Sequence, residues 1–258
     1  MRALSERLTL SAMKDTISWY ERGHVALITG ASQGLGHATA RLLARHGLRL
    51  IVTARDAAAL DRAAAELRAI TEVTAIAGDV AELEHVHRLI GAAEAFGRLD
   101  LLVNNASTLG LVPLPTLEHL SPAVFHRLFQ TNVFAPLHLM QHGLPLLIRS
   151  GGTIVNVSSD AAVNTYPGWG GYGASKAALE HVSRTFAAEI DGFGVSVLVV
   201  DPGSMDTKMH RDAEPDADFD AMPKPDDIAS ALLHSIAGSR EPYARIELAS
   251  LVEAGAAA

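Results

Sequence analysis

The chain has 258 residues, a formal charge of −8, 48% hydrophobic and 19% charged residues, and no cysteine. That length and balance suit one globular domain, and the negative charge argues against a nucleic-acid binder. The lack of cysteine excludes disulfides, thiolate nucleophiles and cysteine-based zinc sites, and it fits a cytoplasmic protein; no apolar run reaches the roughly 18 residues of a membrane span.

Residues 1–23 are broken by Arg2, Glu6, Arg7, Lys14 and Asp15. They lack the apolar centre of a signal peptide and read as an N-terminal extension. "HVALIT" (24–29) is strand-like and leads into "TGASQGLG" (29–36). Leu35, Thr39, Leu42, Leu43 and His46 then recur at helical spacing up to Gly47, a helix stop. "LRLIVTA" (48–54) is the second apolar run, and Asp56 is placed to cap a helix over 56–70. Strand-like 72–79, helical 81–97 and strand-like 99–106 follow. Helices are expected over 116–130 and 131–148, then a strand at 152–159, a helix at 172–190 and a strand at 194–200. A helix at 225–238 and a last strand at 244–250 close the pattern, and the tail "AGAAA" adds nothing to it. Strand and helix alternate with short connections and no linker or repeat. This predicts an α/β fold over 24–258: a doubly wound parallel sheet of about seven strands, with helices on both faces, in a single domain.

The turn "TGASQGLG" lies between the first strand and the first helix. A helix N-terminus offers unpaired N–H groups and a positive dipole end. Glycines let the backbone approach an anion closely, so a pyrophosphate fits. A parallel sheet binds ligands beyond the carboxyl ends of its strands. Those ends carry Arg55, Asp79 and Val80, Asn104, Asn105 and Ala106, Ser158 and Ser159, and Pro202 and Gly203.

Six motifs in this order carry a resemblance: "TGASQGLG", "NNAS" (104–107), Asn132 in "TNVFAP", "SS" (158–159), "YGASK" (172–176) and "DPGSMDT" (201–207). The chain resembles the short-chain dehydrogenases/reductases, in their branch of about 250 residues, from about His24 to about Ser250. The resemblance implies a Rossmann-type fold and an NAD(P)-dependent interconversion of a carbonyl and an alcohol. Two departures stand out. Ser107 replaces the usual glycine of "NNAG", and the C-terminus lacks the longer glycine-containing ending that many relatives use in a tetramer.

Reducing a carbonyl needs a hydride at carbon, from a nicotinamide, and a proton at oxygen. Tyr172 and Lys176 are four residues apart and share one helix face. A nearby ammonium is expected to lower the tyrosine from about 10 toward neutrality, so that Tyr172 serves as acid and base. Alternation alone leaves Ser158 and Ser159 both open, because they point to opposite faces. The family's serine-to-tyrosine spacing selects Ser159 to hold the substrate oxygen. The resemblance also makes Asn132 the fourth catalytic member, holding a water that relays protons to Lys176, which itself bonds the nicotinamide ribose. Gly30, Ser32, Gln33, Gly34, Leu35 and Gly36 are assigned to the pyrophosphate turn, Asp79 and Val80 to adenine, Asn105, Ala106, Pro202 and Gly203 to the cofactor, and Thr207 to the nicotinamide carboxamide. "TARD" (53–56) leaves the usual acidic ribose position empty, and Arg55 follows. A guanidinium pairs well with a 2′-phosphate, so NADP(H) is favoured over NAD(H).

Other signals point away from metal. His138 and His142 have helical spacing but no third ligand. "DADFD" (216–220) lacks the glycine and glutamate of an EF-hand. The acidic stretch 209–223 matches a substrate lid in relatives and disfavours anionic substrates. Leu109, Trp169, Met205 and Met209 are candidates for an apolar pocket wall. The expected partners are a small apolar carbonyl or alcohol and further copies of the chain in a homodimer or homotetramer, with no nucleic acid and no membrane. The alternative is an NAD(P)-binding regulator that uses the fold without chemistry.

Overall fold

A computed structural model describes residues 22–238 and 241–256. The extension expected at 1–23 lies outside the described residues apart from Arg22 and Gly23, as does the end of the Ala-rich tail. Seven strands form one sheet: β1 (Val25–Thr29), β2 (Arg49–Thr53), β3 (Val73–Ala75), β4 (Leu101–Asn104), β5 (Thr153–Val157), β6 (Ser196–Asp201) and β7 (Tyr243–Glu247). Their order is β3-β2-β1-β4-β5-β6-β7, and every pairing is parallel. This is the doubly wound Rossmann-type sheet expected from the alternation.

Alternation along each strand divides the apolar side chains between two layers. Ala26, Ile28, Leu50, Val52, Val103, Val155 and Leu198 pack under α1 (Gly34–Arg45), α2 (Ala57–Arg68) and α8 (Pro225–Gly238). Val25, Leu27, Ile51, Leu102, Ile154 and Val197 pack under α3 (Leu83–Phe96), α5 (Ala135–Ser150) and α6 (Gly170–Glu189). The chain reverses direction across the sheet at β1 and β4. The crevice at that switch point is where such sheets bind nucleotides.

Local chemistry sets several boundaries. Asp56 caps α2 through Ala59 N–H at 3.0 Å, as expected. Gly47, at φ 84°, follows the end of α1. The helix expected from 116 starts only at Pro122 (α4, Pro122–Phe129), because Ser121 caps it and proline suits the first turn. α4 and α5 run together through a π-turn at Gln130–Phe134, so the expected break at 131 is a bulge that carries Asn132. The strand expected over 244–250 stops at Glu247, and Leu248 opens α9 (Leu248–Ala256). Leu248 is fully buried against the α1–α8 layer, and that packing overrides its strand propensity. The stretch after β6 holds a short helix, α7 (Lys208–Ala213), capped by Thr207.

Candidate active site

A cleft of about 1030 Å³ opens at the carboxyl ends of the strands. Of the residues assigned from sequence, Gly30, Ser32, Gln33, Gly34, Leu35, Arg55, Asp79, Val80, Asn105, Ala106, Ser159, Tyr172, Lys176, Pro202, Gly203 and Thr207 line it. Gly36 and Asn132 sit behind the lining.

The glycine turn is built for an anion. Gly30 and Gly34 hold φ of 67° and 58°, in the left-handed region that favours glycine. Gln33 makes no side-chain cap on α1, and the first turn carries no acid, so its N–H groups open toward the cleft. A Cβ on Gly36 would run into the Gly30 carbonyl oxygen and the Asn105 amide, so only glycine lets α1 start this close to β1. Asn105 braces the turn by donating to the carbonyls of Thr29 (2.9 Å) and Gly30 (3.2 Å). Thr29 Oγ1 accepts from the N–H groups of Asn105 (3.0 Å) and Ala106 (2.9 Å) and ties the β4 loop to β1. These features fit the pyrophosphate of a dinucleotide.

At the far end of the cleft, Arg55 is exposed and makes no ion pair among the described residues. Asp56 does not compete for it, being committed to its helix cap. Asp79 accepts from Ala81 N–H (3.0 Å) and pairs with Arg127 of α4 (2.5 Å). Burial raises its carboxyl, but these bonds and the Arg127 and Arg55 charges outweigh that and hold it below the usual range. Arg127 was not legible from sequence, because α4 reaches Asp79 only through the fold.

At the other end, Tyr172 is 8% exposed and Lys176 2% exposed. The lysine Nζ donates to the Val157 carbonyl at 2.7 Å and lies 5.5 Å from the Tyr172 ring centre. The expected lowering of the phenol is not met in this arrangement. Burial pushes Tyr172 up to about 12, against hydrogen bonds from Ser107 and Ser159 that pull it down. Burial also pushes Lys176 down to about 8, opposed by the Glu180 charge. The ammonium faces the ring and a carbonyl, and desolvation moves both groups toward neutrality. At neutral pH the phenol therefore keeps its proton.

The two serines separate clearly. Ser158 is buried and donates to Glu180 Oε1 at 2.6 Å. Ser159 faces the cleft and donates to Asp160 Oδ1 at 3.0 Å. Both serines line the cleft, and Ser159 is the more exposed of the two. Asn132 is 1% exposed, and protein atoms engage both ends of its amide. Oδ1 accepts from Thr108 N–H (2.9 Å) and Ser107 Oγ (3.1 Å), while Nδ2 donates to Thr108 O (3.0 Å) and Ser175 Oγ (2.9 Å). Its side chain clamps the β4 loop to α6.

Leu109, Trp169, Met205 and Met209 all line the cleft, as expected of a pocket wall. Trp169 meets Tyr172 edge-on at 5.6 Å. The stretch around α7 is stapled: Arg211 and Lys224 pair with Asp206 at 2.6 and 2.9 Å, and Arg211 lies 4.2 Å over the Phe219 ring. His142 packs edge-on against His87 at 4.8 Å.

The profile of the short chain dehydrogenases matches residues 24–218. The chain belongs to the short-chain dehydrogenase family. Within this family it is similar to a serine 3-dehydrogenase of Agrobacterium fabrum, 36% identical over 184 residues that cover 70% of this chain and 72% of the relative. It is 34% identical to the rhamnolipids biosynthesis 3-oxoacyl-[acyl-carrier-protein] reductase of Pseudomonas aeruginosa, over 86% of this chain and 91% of that one. Among solved structures, an alcohol dehydrogenase from the archaeon Thermococcus sibiricus, complexed with 5-hydroxy-NADP, superposes with a TM-score of 0.76. It is 32% identical, with 87% of this chain and 94% of that one covered. As a short-chain dehydrogenase, the protein is an NAD(P)-dependent oxidoreductase acting on small molecules. No helix among the described residues is long and apolar enough to cross a membrane.

Proposed function

We propose that the protein interconverts a carbonyl and an alcohol with NADP(H), and that residues 24–258 form one catalytic domain. The observation that carries this reading is the buried Tyr172–Lys176 pair at one end of a cleft whose other end is the open glycine turn. The nicotinamide supplies or accepts the hydride. Tyr172 gives its phenolic proton to the carbonyl oxygen, Ser159 orients that oxygen, and Lys176 holds the cofactor ribose. Asn132 fixes the loop and helix that bear these groups. Gly30, Ser32, Gln33, Gly34 and Leu35 take the pyrophosphate, Asp79 and Val80 the adenine, and Pro202, Gly203 and Thr207 the nicotinamide side.

Arg55, exposed and without an ion pair among the described residues, supports a 2′-phosphate, and the NADP-type ligand of the Thermococcus relative points the same way. The apolar wall of Leu109, Trp169, Met205 and Met209 favours an uncharged substrate. The family resemblance supports a homodimer or homotetramer. The test is a titration with NADPH and, separately, NADH, following nicotinamide fluorescence, together with turnover of a carbonyl panel by Tyr172→Phe. Tight NADPH binding and an inactive variant that still binds NADPH are expected. Absence of binding removes the reading, and wild-type turnover by Tyr172→Phe removes the acid.

A further inference from the structure

We propose that His85 is a positioning residue for the adenosine half of the cofactor, holding from behind the two loops that carry Arg55 and Asp79. The role rests on the reading of that end of the cleft as the NADP(H) site. The two loops follow β2 and β3, at one edge of the sheet. β3 is only three residues long and pairs with β2. Beyond the strands, Gly78 N–H donates to the Ala54 carbonyl at 3.0 Å. So short an edge strand leaves the spacing between Arg55 and Asp79 to be set by side chains.

His85, on α3, is placed to set it. The residue is 1% exposed and lies behind the cleft lining. Its Nε2 is 2.7 Å from Thr53 Oγ1, and Thr53 is fully buried two residues before Arg55. On the other side its ring lies against Gly78, the residue before Asp79, and a Cβ there would run into the ring. Gly78 does not hold a positive φ, so space, not backbone conformation, requires glycine at this position. One ring therefore touches both loops, close to each cofactor contact.

Arg88, one turn further along α3, fixes the tautomer. A guanidinium only donates, and Arg88 Nη2 is 2.9 Å from His85 Nδ1. Nδ1 is thus the acceptor, and the neutral ring carries its proton on Nε2, where it is donated to Thr53 Oγ1. Burial, and then the Arg88 charge, push His85 below the ordinary histidine value against the opposing Asp79 carboxylate, which keeps Nδ1 free to accept. A ring held at both nitrogens and packed on a glycine has one orientation, so the gap between the loops is fixed. A 2′-phosphate on Arg55 and an adenine on Asp79 need that gap set before they arrive, because ordering it on binding would cost affinity.

The experiment measures NADPH binding by nicotinamide fluorescence, binding of adenosine 2′,5′-bisphosphate by calorimetry, and kcat at saturating NADPH. His85→Ala should weaken both ligands by the same factor, about tenfold, the size of one hydrogen bond, and leave kcat within about twofold. His85→Gln brings an amide N–H within reach of Thr53 and should stay within about threefold of the parent in both affinities. Gly78→Ala should cost about tenfold in the parent, where its Cβ meets the ring, and far less in His85→Ala, where that space is empty. Affinities of His85→Ala within about twofold of the parent overturn the inference. So does a loss that His85→Gln fails to recover, or a Gly78→Ala cost that is equal in both backgrounds. A parent that binds neither ligand removes the NADP(H) reading and the inference with it, whereas a parent that binds both beside unaffected His85 variants sinks His85 alone.

Discussion

Replacing Arg245 with methionine removes the cation from a charged cluster beneath the cleft. Arg245 Nε donates to both oxygens of Glu180 at 3.1 Å, Nη1 donates to Glu247 at 2.9 Å, and Nη2 lies 3.5 Å from Asp201. Glu180 is 6% exposed and also accepts from Ser158. A carboxylate left buried without its cation costs about 3–5 kcal/mol. The Arg245 side chain keeps 23% of its exposure and the Ser158 bond survives, so screening and the remaining donor bring the expected loss to about 2–3 kcal/mol. Methionine preserves much of the apolar stem, which separates the charge from the packing.

Urea unfolding at pH 8 of Arg245→Met, Glu180→Gln and the double variant measures this loss and its coupling. The double variant should recover about 1–2 kcal/mol relative to additivity, because no buried charge is then stranded. The pH dependence has a definite sign. Burial raises Asp201 and Arg245 lowers it, so removing the guanidinium raises it further. A carboxylate raised in the folded state contributes stability at low pH that is lost as pH climbs. The deficit of Arg245→Met should therefore narrow as pH falls from 8 to 5. A loss under about 0.5 kcal/mol with additive variants, or a deficit that widens on acidification, would refute the reasoning.

Three further outcomes follow from single distances or shifts. Gly36→Ala drives a Cβ into the Gly30 carbonyl and the Asn105 brace, and should cost about 1–3 kcal/mol of stability and at least tenfold in NADPH affinity, read by calorimetry. Arg55→Ala should weaken NADPH binding about 10–100-fold and leave NADH within about twofold; equal losses would remove Arg55 from the phosphate site. Lys176 falls from 10.5 to about 8 on folding, so the unfolded chain binds more protons between those values, and stability from this group rises as pH climbs through them. Relative to Lys176→Met, the parent should gain up to about 3 kcal/mol between pH 8 and 10.5, and a flat difference would contradict the burial argument.

The fold was readable because it is written in local periodicities. Parallel strands buried on both faces are short apolar runs, and the helices between them carry clear stops such as Gly47 and caps such as Asp56. The strand ends also named most of the cleft lining, since a parallel sheet collects them on one side. What stayed hidden depends on long-range placement. Leu248 could have prolonged a strand, but the α1–α8 layer draws it into α9. Arg127 meets Asp79 across 48 residues, and Arg245 meets Glu180 across 65. The tyrosine–lysine spacing placed both groups on one helix face, yet the charge state of the pair depends on burial that spacing does not encode.

The charges beneath the cleft explain how a lysine with so little exposure stays useful. Lys176, Glu180, Arg245 and Asp201 alternate in sign from the cleft floor to the last strand. Glu180 favours the Lys176 ammonium against its desolvation, and Arg245 keeps the Glu180 carboxylate compensated. Without the far arginine, the carboxylate would be as costly to bury as the lysine it supports. Through Arg245, strand β7 thus helps make a buried cation tolerable beside a phenol that burial keeps protonated. That combination, a neutral acid next to a poised ammonium, suits delivery of a proton to a carbonyl oxygen.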